Sequence, residues 1–283
     1  MLDYRLDTFL KLCEIMNYRE TAEQLHITQP AVTQHIQFLE REYGCKLFTY
    51  ENRKLQKTSA AAVLESYAHS MKYNEQALKE ELRNTRHQEF KVGATKTIGD
   101  YVLDDYIKNF LKQQNHSLTL VVDNTEHLLH LLEENKIDFA IVEGYFDKRK
   151  YDYQLFRKEP FVGICHKNHP FAEQVVTLPD LLSETLICRE EGSGTRAIME
   201  QKLLDFNESI SHFSNHICIS SFKIILQLVK EGYGISFGYE VLAKNDRDLA
   251  RFYLPGEEIM REFNFVYLKN TTADKKIQEF INI

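Results

Sequence analysis

The sequence predicts a multidomain α+β protein: a helical N-terminal region with a short hairpin, one long helix, and a C-terminal α/β region. Three observations predict it. Apolar residues recur at helical spacing from residue 3 to about residue 41. A heptad-spaced pattern then runs from residue 59 to about residue 86. From Phe90 onward, short β-rich runs alternate with helical stretches.

The chain has 283 residues, enough for two or three domains and a substantial core. It is 43% hydrophobic and 27% charged, which indicates a globular rather than a disordered chain. No apolar run approaches a membrane span. The amphipathic N-terminus carries Asp3, Asp7 and Glu14, where a signal peptide needs an uncharged core. A cytoplasmic location without membrane association is therefore expected. The five cysteines are odd in number and form no CxxC, as expected of reduced and mostly buried thiols. The net charge of −7 argues weakly against nucleic acid, but it is unevenly distributed. Residues 1–86 carry 12 basic and 12 acidic side chains, and the remainder carries 23 and 30.

Leu6, Phe9, Leu10 and Cys13 give one apolar face to a helix over residues 3–16, which Asn17 is expected to end. A second short helix, over about 20–26, is expected to bury Ala22 and Leu25, with Ile27 filling the turn. Thr28 suits the N-cap of a third helix over about 29–41. Pro30 falls in its first turn, where a missing N–H costs little. Val32, Ile36 and Leu39, at i, i+4 and i+7, must face inward. "KLFTYENRKLQKT" (46–58) reads as a hairpin turning near Glu51-Asn52-Arg53.

With those three positions buried, Pro30, Thr33, Gln34 and Gln37 fall on the opposite face, and Gln29 at its N-terminal edge. An ordinary solvated helix face carries Glu and Lys. Gln and Thr suit base edges instead: Gln can bond adenine at two atoms, and a Thr methyl can touch that of thymine. Two short helices around a tight turn, the second with this face, describe a helix-turn-helix. The hairpin offers Arg53, Lys54 and Lys57 to phosphates and makes it winged. A plain three-helix subdomain with a polar surface helix would match this stretch as well.

Residues 6–69 resemble the N-terminal domain of LysR-type transcriptional regulators. Leu6, Phe9, "YRETAEQL" (18–25), "ITQPAVTQHIQFLE" (27–40), "KLF" (46–48) and the wing "RKLQKT" carry the resemblance colinearly. It implies that the helix beginning near Thr28 reads the major groove of double-stranded promoter DNA. Thr28, Gln29, Pro30, Thr33, Gln34 and Gln37 would lie at the DNA, with Arg53, Lys54 and Lys57 on phosphates. Tyr50 stands where the family usually has Arg, Lys57 where it has Leu, and Ala61 where it has Gly. Lys57 is expected to make good the missing Arg.

Leu64, Met71 and Leu78 repeat every seven residues, with Tyr67, Ala68 and Leu82 beside them. That seam wants a partner helix. By resemblance, residues 1–58 are the DNA-binding domain and 59–87 the linker helix, which pairs with a second subunit in a homodimer or tetramer. Two recognition helices would then meet a roughly palindromic operator.

The resemblance extends more loosely over 90–283. It implies a two-lobed α/β effector domain of the type II periplasmic-binding-protein kind at 88–283, with lobe one at 88–160 and 262–283 and lobe two at 161–261. The residues point to a cleft independently. "GATKTIGDY" (93–101) and "EEGSGTRAIM" (190–199) each follow a strand and open a helix, offering hydroxyls and free N–H groups to an anion. Ser220 and Ser221 are placed to cap another helix, and "DNTEHLL" (123–129) and "VEG" (142–144) resemble rim segments of the family. The candidate effector residues are Thr95, Lys96, Thr97, Ile98, Thr125, Glu143, Gly144, Ser193, Gly194, Thr195, Arg196, Ser220 and Ser221, with Lys96 and Arg196 supplying positive charge. "GSGTR" and "VEG" most resemble the subgroup that regulates sulfur or carbon dioxide assimilation, which implies a small anionic effector. Each helix start, taken singly, also reads as an ordinary N-cap.

Cys165, His166 and His169 in "CHKNHP" lack a fourth ligand, so no metal is expected. "GYG" (232–234) ends a helix and precedes a strand, the reverse of a dinucleotide loop. No GxSxG or phosphate-binding loop occurs, and Ser193 has no indicated base, so neither catalysis nor a cofactor is expected. The expected function is a LysR-type DNA-binding regulator modulated by a small anion, with RNA polymerase as a further partner. The alternative is a cytoplasmic small-anion-binding protein with a binding-protein fold and no regulatory DNA binding.

Overall fold

The structure, a computed structural model, describes residues 3–82, 88–112, 116–244, 246–256 and 258–281. Helix α1 (Tyr4–Ile15) starts at Asp3, whose side chain accepts from the Arg5 N–H, and stops at Met16 in the left-handed region. Asn17, expected to end α1, instead caps α2 (Tyr18–Gln24) by accepting from the N–H groups of Arg19 and Glu20. The side chain of Asn satisfies otherwise orphaned helix donors, so it serves a start as readily as a stop. His26 then turns the chain through positive φ. Leu25 stays half-buried and Ile27 faces solvent, so Ile27 does not fill the turn.

Helix α3 (Gln29–Glu42) is capped by the Thr28 hydroxyl, which accepts from the Ala31 N–H at 3.3 Å. Val32, Ile36 and Leu39 are buried, the last two in a cluster with Leu6, Phe9, Leu12 and Cys13. Strands β1 (Phe48–Glu51) and β2 (Lys54–Lys57) form the hairpin. Asn52 and Arg53 at its tip both have positive φ, as a two-residue hairpin turn of the right twist requires.

Helix α4 (Ser59–Leu82) follows; its expected extension to residue 86 lies outside the described residues. The heptad seam divides in two. Leu64 and Ala68 pack into the N-terminal core, while Tyr67, Met71, Leu78 and Leu82 are exposed. Leu64 therefore serves its own domain. Val63 is exposed on the same stripe as Tyr67 and belongs in its place. The other side of α4 docks on the C-terminal region. The Ser70 hydroxyl donates to the Lys269 carbonyl at 2.6 Å, the Asn74 amide to the Asn270 carbonyl at 2.8 Å, and the Tyr73 hydroxyl to Asp138 Oδ1 at 3.0 Å.

The C-terminal region opens with β3 (Gln88–Thr95), α5 (Lys96–Tyr101), α6 (Asp104–Leu111), β4 (His116–Asp123), α7 (Thr125–Glu133) and β5 (Phe139–Val142). Strand β3 pairs in parallel with both β4 and β5. There follow β6 (Tyr151–His166), α8 (Leu178–Leu182), β7 (Thr185–Cys188), α9 (Gly194–Leu204), β8 (Asn215–Cys218), α10 (Phe222–Lys230), β9 (Ser236–Tyr239), α11 (Val241–Lys244), β10 (Leu249–Phe252), β11 (Ile259–Leu268) and α12 (Ala273–Ile281). The main sheet runs β10-β6-β11-β5-β3-β4, and β9 also joins β6.

Strands β6 and β11 pair antiparallel from Phe161 opposite Ile259 to Tyr151 opposite Leu268. The far end of β6 holds β9 and β10, and the far end of β11 holds β5. These two strands carry the chain in both directions between the β3–β4–β5 group and the group formed by β7 to β10. The β7–β8 pair joins the second group through Ile235, whose N–H donates to the Thr185 carbonyl. Gly234 permits this approach, since a Cβ there would stand 2.3 Å from the Thr185 carbonyl oxygen. The core beneath is aromatic: Phe90, Phe110, Phe139, Phe263, Phe265 and Phe280 are all buried in one cluster.

Asp138 ties three elements together. Besides the Tyr73 hydroxyl, it accepts the Lys276 ammonium at 2.8 Å and the Lys91 N–H at 2.8 Å. Hydrogen bonds to charged groups contribute about 1.5–3 kcal/mol. Tyr73→Phe is therefore expected to lower the thermal unfolding midpoint of the C-terminal region by about 3–12 °C at neutral pH. A midpoint unchanged within error in differential scanning calorimetry would show that the α4 contact contributes no stability.

Candidate DNA-binding face and effector cleft

The outer face of α3 is built as the sequence predicts. Thr28, Gln29, Pro30, Gln34 and Gln37 are exposed, and Thr33 is half-buried. Gln29 donates from Nε2 to the Thr33 hydroxyl at 3.1 Å, and that hydroxyl donates to the Gln29 carbonyl at 3.2 Å. The pair thus holds its polar atoms in place on the surface. Arg53 and Lys54 project from the hairpin tip. An open groove of about 790 Å³ between the start of α3 and the wing is lined by Gln29, Tyr50, Arg53, Lys54 and also Arg19, which sequence reasoning missed.

Lys57 is paired within the chain. Its ammonium lies 2.8 and 3.1 Å from the two carboxylate oxygens of Glu65 on α4, so its charge is already matched. Tyr50, another departure from the family pattern, is exposed and lines the groove.

In the C-terminal region, three helix starts share one peculiarity. The N-cap side chains Thr95 of α5, Ser193 of α9 and Ser221 of α10 make no capping hydrogen bond. Those of Thr28, Asn124 and Thr177 elsewhere in the chain do. Thr95 is 4% exposed and Thr97 0%, and neither hydroxyl has a hydrogen-bond partner. Facing them is Glu143 in the turn after β5. Part of this residue is reachable from solvent, but its Oε2 is shut off and likewise has no partner. Burial pushes the Glu143 carboxyl up to about 7. The Thr97 and Thr95 hydroxyls and the Arg189 guanidinium oppose that shift. The two hydroxyls do so without reaching hydrogen-bond geometry with Glu143.

Two residues not singled out in the sequence complete this wall. The Tyr239 hydroxyl on β9 donates to the Glu143 carbonyl at 3.5 Å. Arg189, just past β7, stacks over Phe222 and donates to both carboxylate oxygens of Glu190 at 2.7 and 2.9 Å. A basic residue ending a β-rich run directly before a helix-opening loop was the available signal for Arg189. Tyr239 gave none, because its role depends on strand pairing.

The other candidates fall around this point. Gly144 lies against Thr125, whose hydroxyl would be 3.0 Å from a Cβ at the glycine. Ile98 is buried in the core, Thr195 is buried in the first turn of α9, and Gly194 is exposed there. Lys96 is exposed, and its charge acts on Asp123 and Glu190. Ser220 and Ser221 stand at the start of α10, beyond Cys218. Arg196 departs from expectation: it donates to Glu200 Oε1 at 2.8 Å and to the Arg189 carbonyl at 3.3 Å, with Glu191 at 3.6 Å. These contacts tie it to the loop that opens α9. His166 and His169 accept from the N–H groups of Asn168 and Phe171 within their own turn.

Residues 4–62 match the bacterial regulatory helix-turn-helix proteins of the lysR family, and residues 83–283 match the LysR substrate binding domain. The chain belongs to the LysR family of transcriptional regulators. It is 28% identical to the uncharacterized HTH-type transcriptional regulator MJ0300 of Methanocaldococcus jannaschii, over 97% of this chain and 96% of that one. It is 26% identical to the HTH-type transcriptional regulator CysL of Bacillus subtilis, over 96% and 88%. A full-length OxyR variant from Pseudomonas aeruginosa shares the fold, with a TM-score of 0.61 at 19% identity over 98% and 95% of the two chains. Among the described residues of this LysR-family regulator, no helix is long and apolar enough to cross a membrane.

The raised carboxyl of Glu143 has a measurable consequence. The folded chain holds a proton there that the unfolded chain, at the ordinary value of 4.5, releases. Its contribution to stability is full below about pH 4.5 and is lost as pH rises through about 7. Glu143→Gln is therefore expected to match the parent in thermal unfolding at about pH 4 and to unfold at a higher temperature at about pH 8. Equal midpoints at both pH values would mean that Glu143 is ionised throughout.

Proposed function

We propose that this regulator reads promoter DNA with Gln29, Thr33, Gln34 and Gln37. Thr28 and Pro30 set the helix entry, and Arg53 and Lys54 hold flanking phosphates. The observation that carries this reading is the uncharged, exposed face of α3 lying beside the two cations of the wing. Residues 1–58 act as the DNA-binding domain, 59–87 as the linker and 88–283 as the effector domain. Lobe one takes 88–160 and 262–283, and lobe two takes 161–261, the limits falling within β6 and β11. The regulator works in the cytoplasm without catalysing a reaction, and it meets RNA polymerase at the promoter.

A small molecule bearing a negatively charged group binds the cleft around Thr95, Thr97, Glu143, Ser193 and Thr195. The unengaged hydroxyls at the three helix starts support this. The ligand favours one arrangement of the two lobes, and the DNA-binding domains follow through α4.

The test is fluorescence anisotropy on DNA from upstream of the protein's own gene, with a scrambled duplex as control, across a salt series. Gln34→Ala is expected to lose about 1–3 kcal/mol on the specific duplex and almost nothing on the control. Changing Arg53 and Lys54 together to Ala should weaken both duplexes and reduce the log–log salt slope by about 2. Lys57→Ala should leave that slope unchanged. Equal binding of the parent to both duplexes would sink the reading.

The stripe of Val63, Tyr67, Met71, Leu78 and Leu82 pairs with the same stripe of a second subunit. Leu78→Arg is expected to turn a dimer or tetramer into a smaller species in light scattering, with far-UV circular dichroism unchanged. An unaltered mass would place the subunit contact elsewhere.

A further inference from the structure

We propose that Cys188 and Cys218 form a reactive dithiol, a modification site that a low-molecular-weight disulfide converts to an intramolecular disulfide. The site is independent of the DNA and effector readings above.

The strand register carries the inference. Strands β7 and β8 run parallel, and Cys188 stands directly beside Cys218. Neighbouring strands lie about 4.8 Å apart, and a disulfide joins residues whose Cα atoms are about 4.4–6.8 Å apart. Paired residues send their side chains to the same face of a sheet, and these two thiols act on each other as hydrogen-bonding neighbours. The Ile219 N–H donates to the Cys188 carbonyl at 2.9 Å, so the two backbones are already held together where the bond would form. All five cysteines are free in the structure. Cys13 and Cys45 pack in the N-terminal core, and Cys165 lies on β6 opposite Ala250.

The two thiols differ as an attacking and a resolving cysteine differ. Cys218 is exposed. The Arg196 guanidinium donates from Nη1 to its Sγ at 3.8 Å, and that Sγ donates to the Arg189 carbonyl at 3.5 Å. Arg196 keeps this contact although Glu200 and Glu191 also stand beside it, and its charge feels both sulfurs. Reactive cysteines sit near solvent beside a cation, and Cys218 meets both conditions. Cys188 is only 3% exposed, and burial pushes its thiol above the ordinary range. It is shielded from a bulky reagent and meets a sulfur already held next to it.

The reaction is two successive thiol–disulfide exchanges. Cys218, as its thiolate, attacks one sulfur of the small disulfide. The S–S bond breaks, one small thiolate leaves and takes up a proton, and Cys218 is held as a mixed disulfide. Cys188 then gives its proton to water and attacks Cys218 Sγ, expelling the second small thiolate, which is protonated in turn. Two protein thiols are oxidised, and one disulfide is reduced to two thiols. The new bond ties the exit of β7 to that of β8, where the chain turns toward α9 and α10. In a reducing compartment such a bond is transient, and small thiols reverse it.

The experiment treats the full chain with oxidised glutathione and reads intact mass and peptide maps. The parent is expected to lose the mass of two hydrogens, with the bond mapped to Cys188 and Cys218, and to regain it in dithiothreitol. Cys188→Ser should stop with one glutathionyl group on Cys218. Cys218→Ser should leave Cys188 unmodified over the same time. Arg196→Gln should slow the loss of free thiol by about threefold or more. Thermal unfolding of each variant checks that it is folded. A folded parent whose thiols all stay reduced in excess oxidised glutathione overturns the proposal. So does a bond or adduct on Cys13, Cys45 or Cys165 while Cys188 and Cys218 stay free. A glutathionyl group that persists on Cys218 of the parent, unresolved by Cys188, overturns it as well.

Discussion

The antiparallel pairing of β6 with β11 is the constraint on which the C-terminal region depends. Each strand begins in one half of the sheet and ends in the other, so together they fix how the two halves face each other. The turn after β5 presents Glu143 on one side, and the ends of β7 and β9 present Arg189 and Tyr239 on the other. A register shift at Phe263 and Asn264 marks the middle of this crossing. Such irregularities bend a strand where its partners change. Any ligand that alters the angle between the halves must act against, or through, these two strands.

Local features of the chain were largely legible. Helix α3 could be read because its cap, its first-turn proline and its buried i, i+4, i+7 face all lie within a dozen residues. The hairpin was legible for the same reason. Strands β10 and β11 and the first half of β6 were not: "LARF" is too short to show a period, and in "YDYQLFRKEP" the alternation breaks into a charge run and a proline. In the site, the helix starts were visible in the sequence but their charge balance was only partly so. Glu200 stands one helical turn after Arg196 and was within reach of an i, i+4 reading. Glu65 stands eight residues from Lys57, across a change from strand to helix, where no periodicity links them. Leu64 failed for another reason. A heptad repeat assumes one apolar stripe, and α4 has two, one packed in its own domain and one exposed.

The two faces of α4 bear on how the halves of this regulator communicate. The helix is rooted at its start in the DNA-binding core and docked at its middle on the effector domain through Ser70, Tyr73 and Asn74. Asp138, which receives Tyr73, directly precedes β5, and β5 leads straight into Glu143. Four strand residues, all buried, separate the two carboxyls. A short, densely packed strand moves as a unit, so the turn at Glu143 and the α4 contact at Asp138 are joined through one buried element. Coupling along this connection requires two arrangements of the strand that both ends bias.

The same unsatisfied oxygens that suggest a ligand also suggest how the site selects among ligands. A pocket that already satisfies its own polar groups discriminates poorly, because a wrong ligand loses only contacts. A pocket holding buried acceptors without partners rejects any ligand that lacks the donors, since those oxygens stay unpaired in the complex.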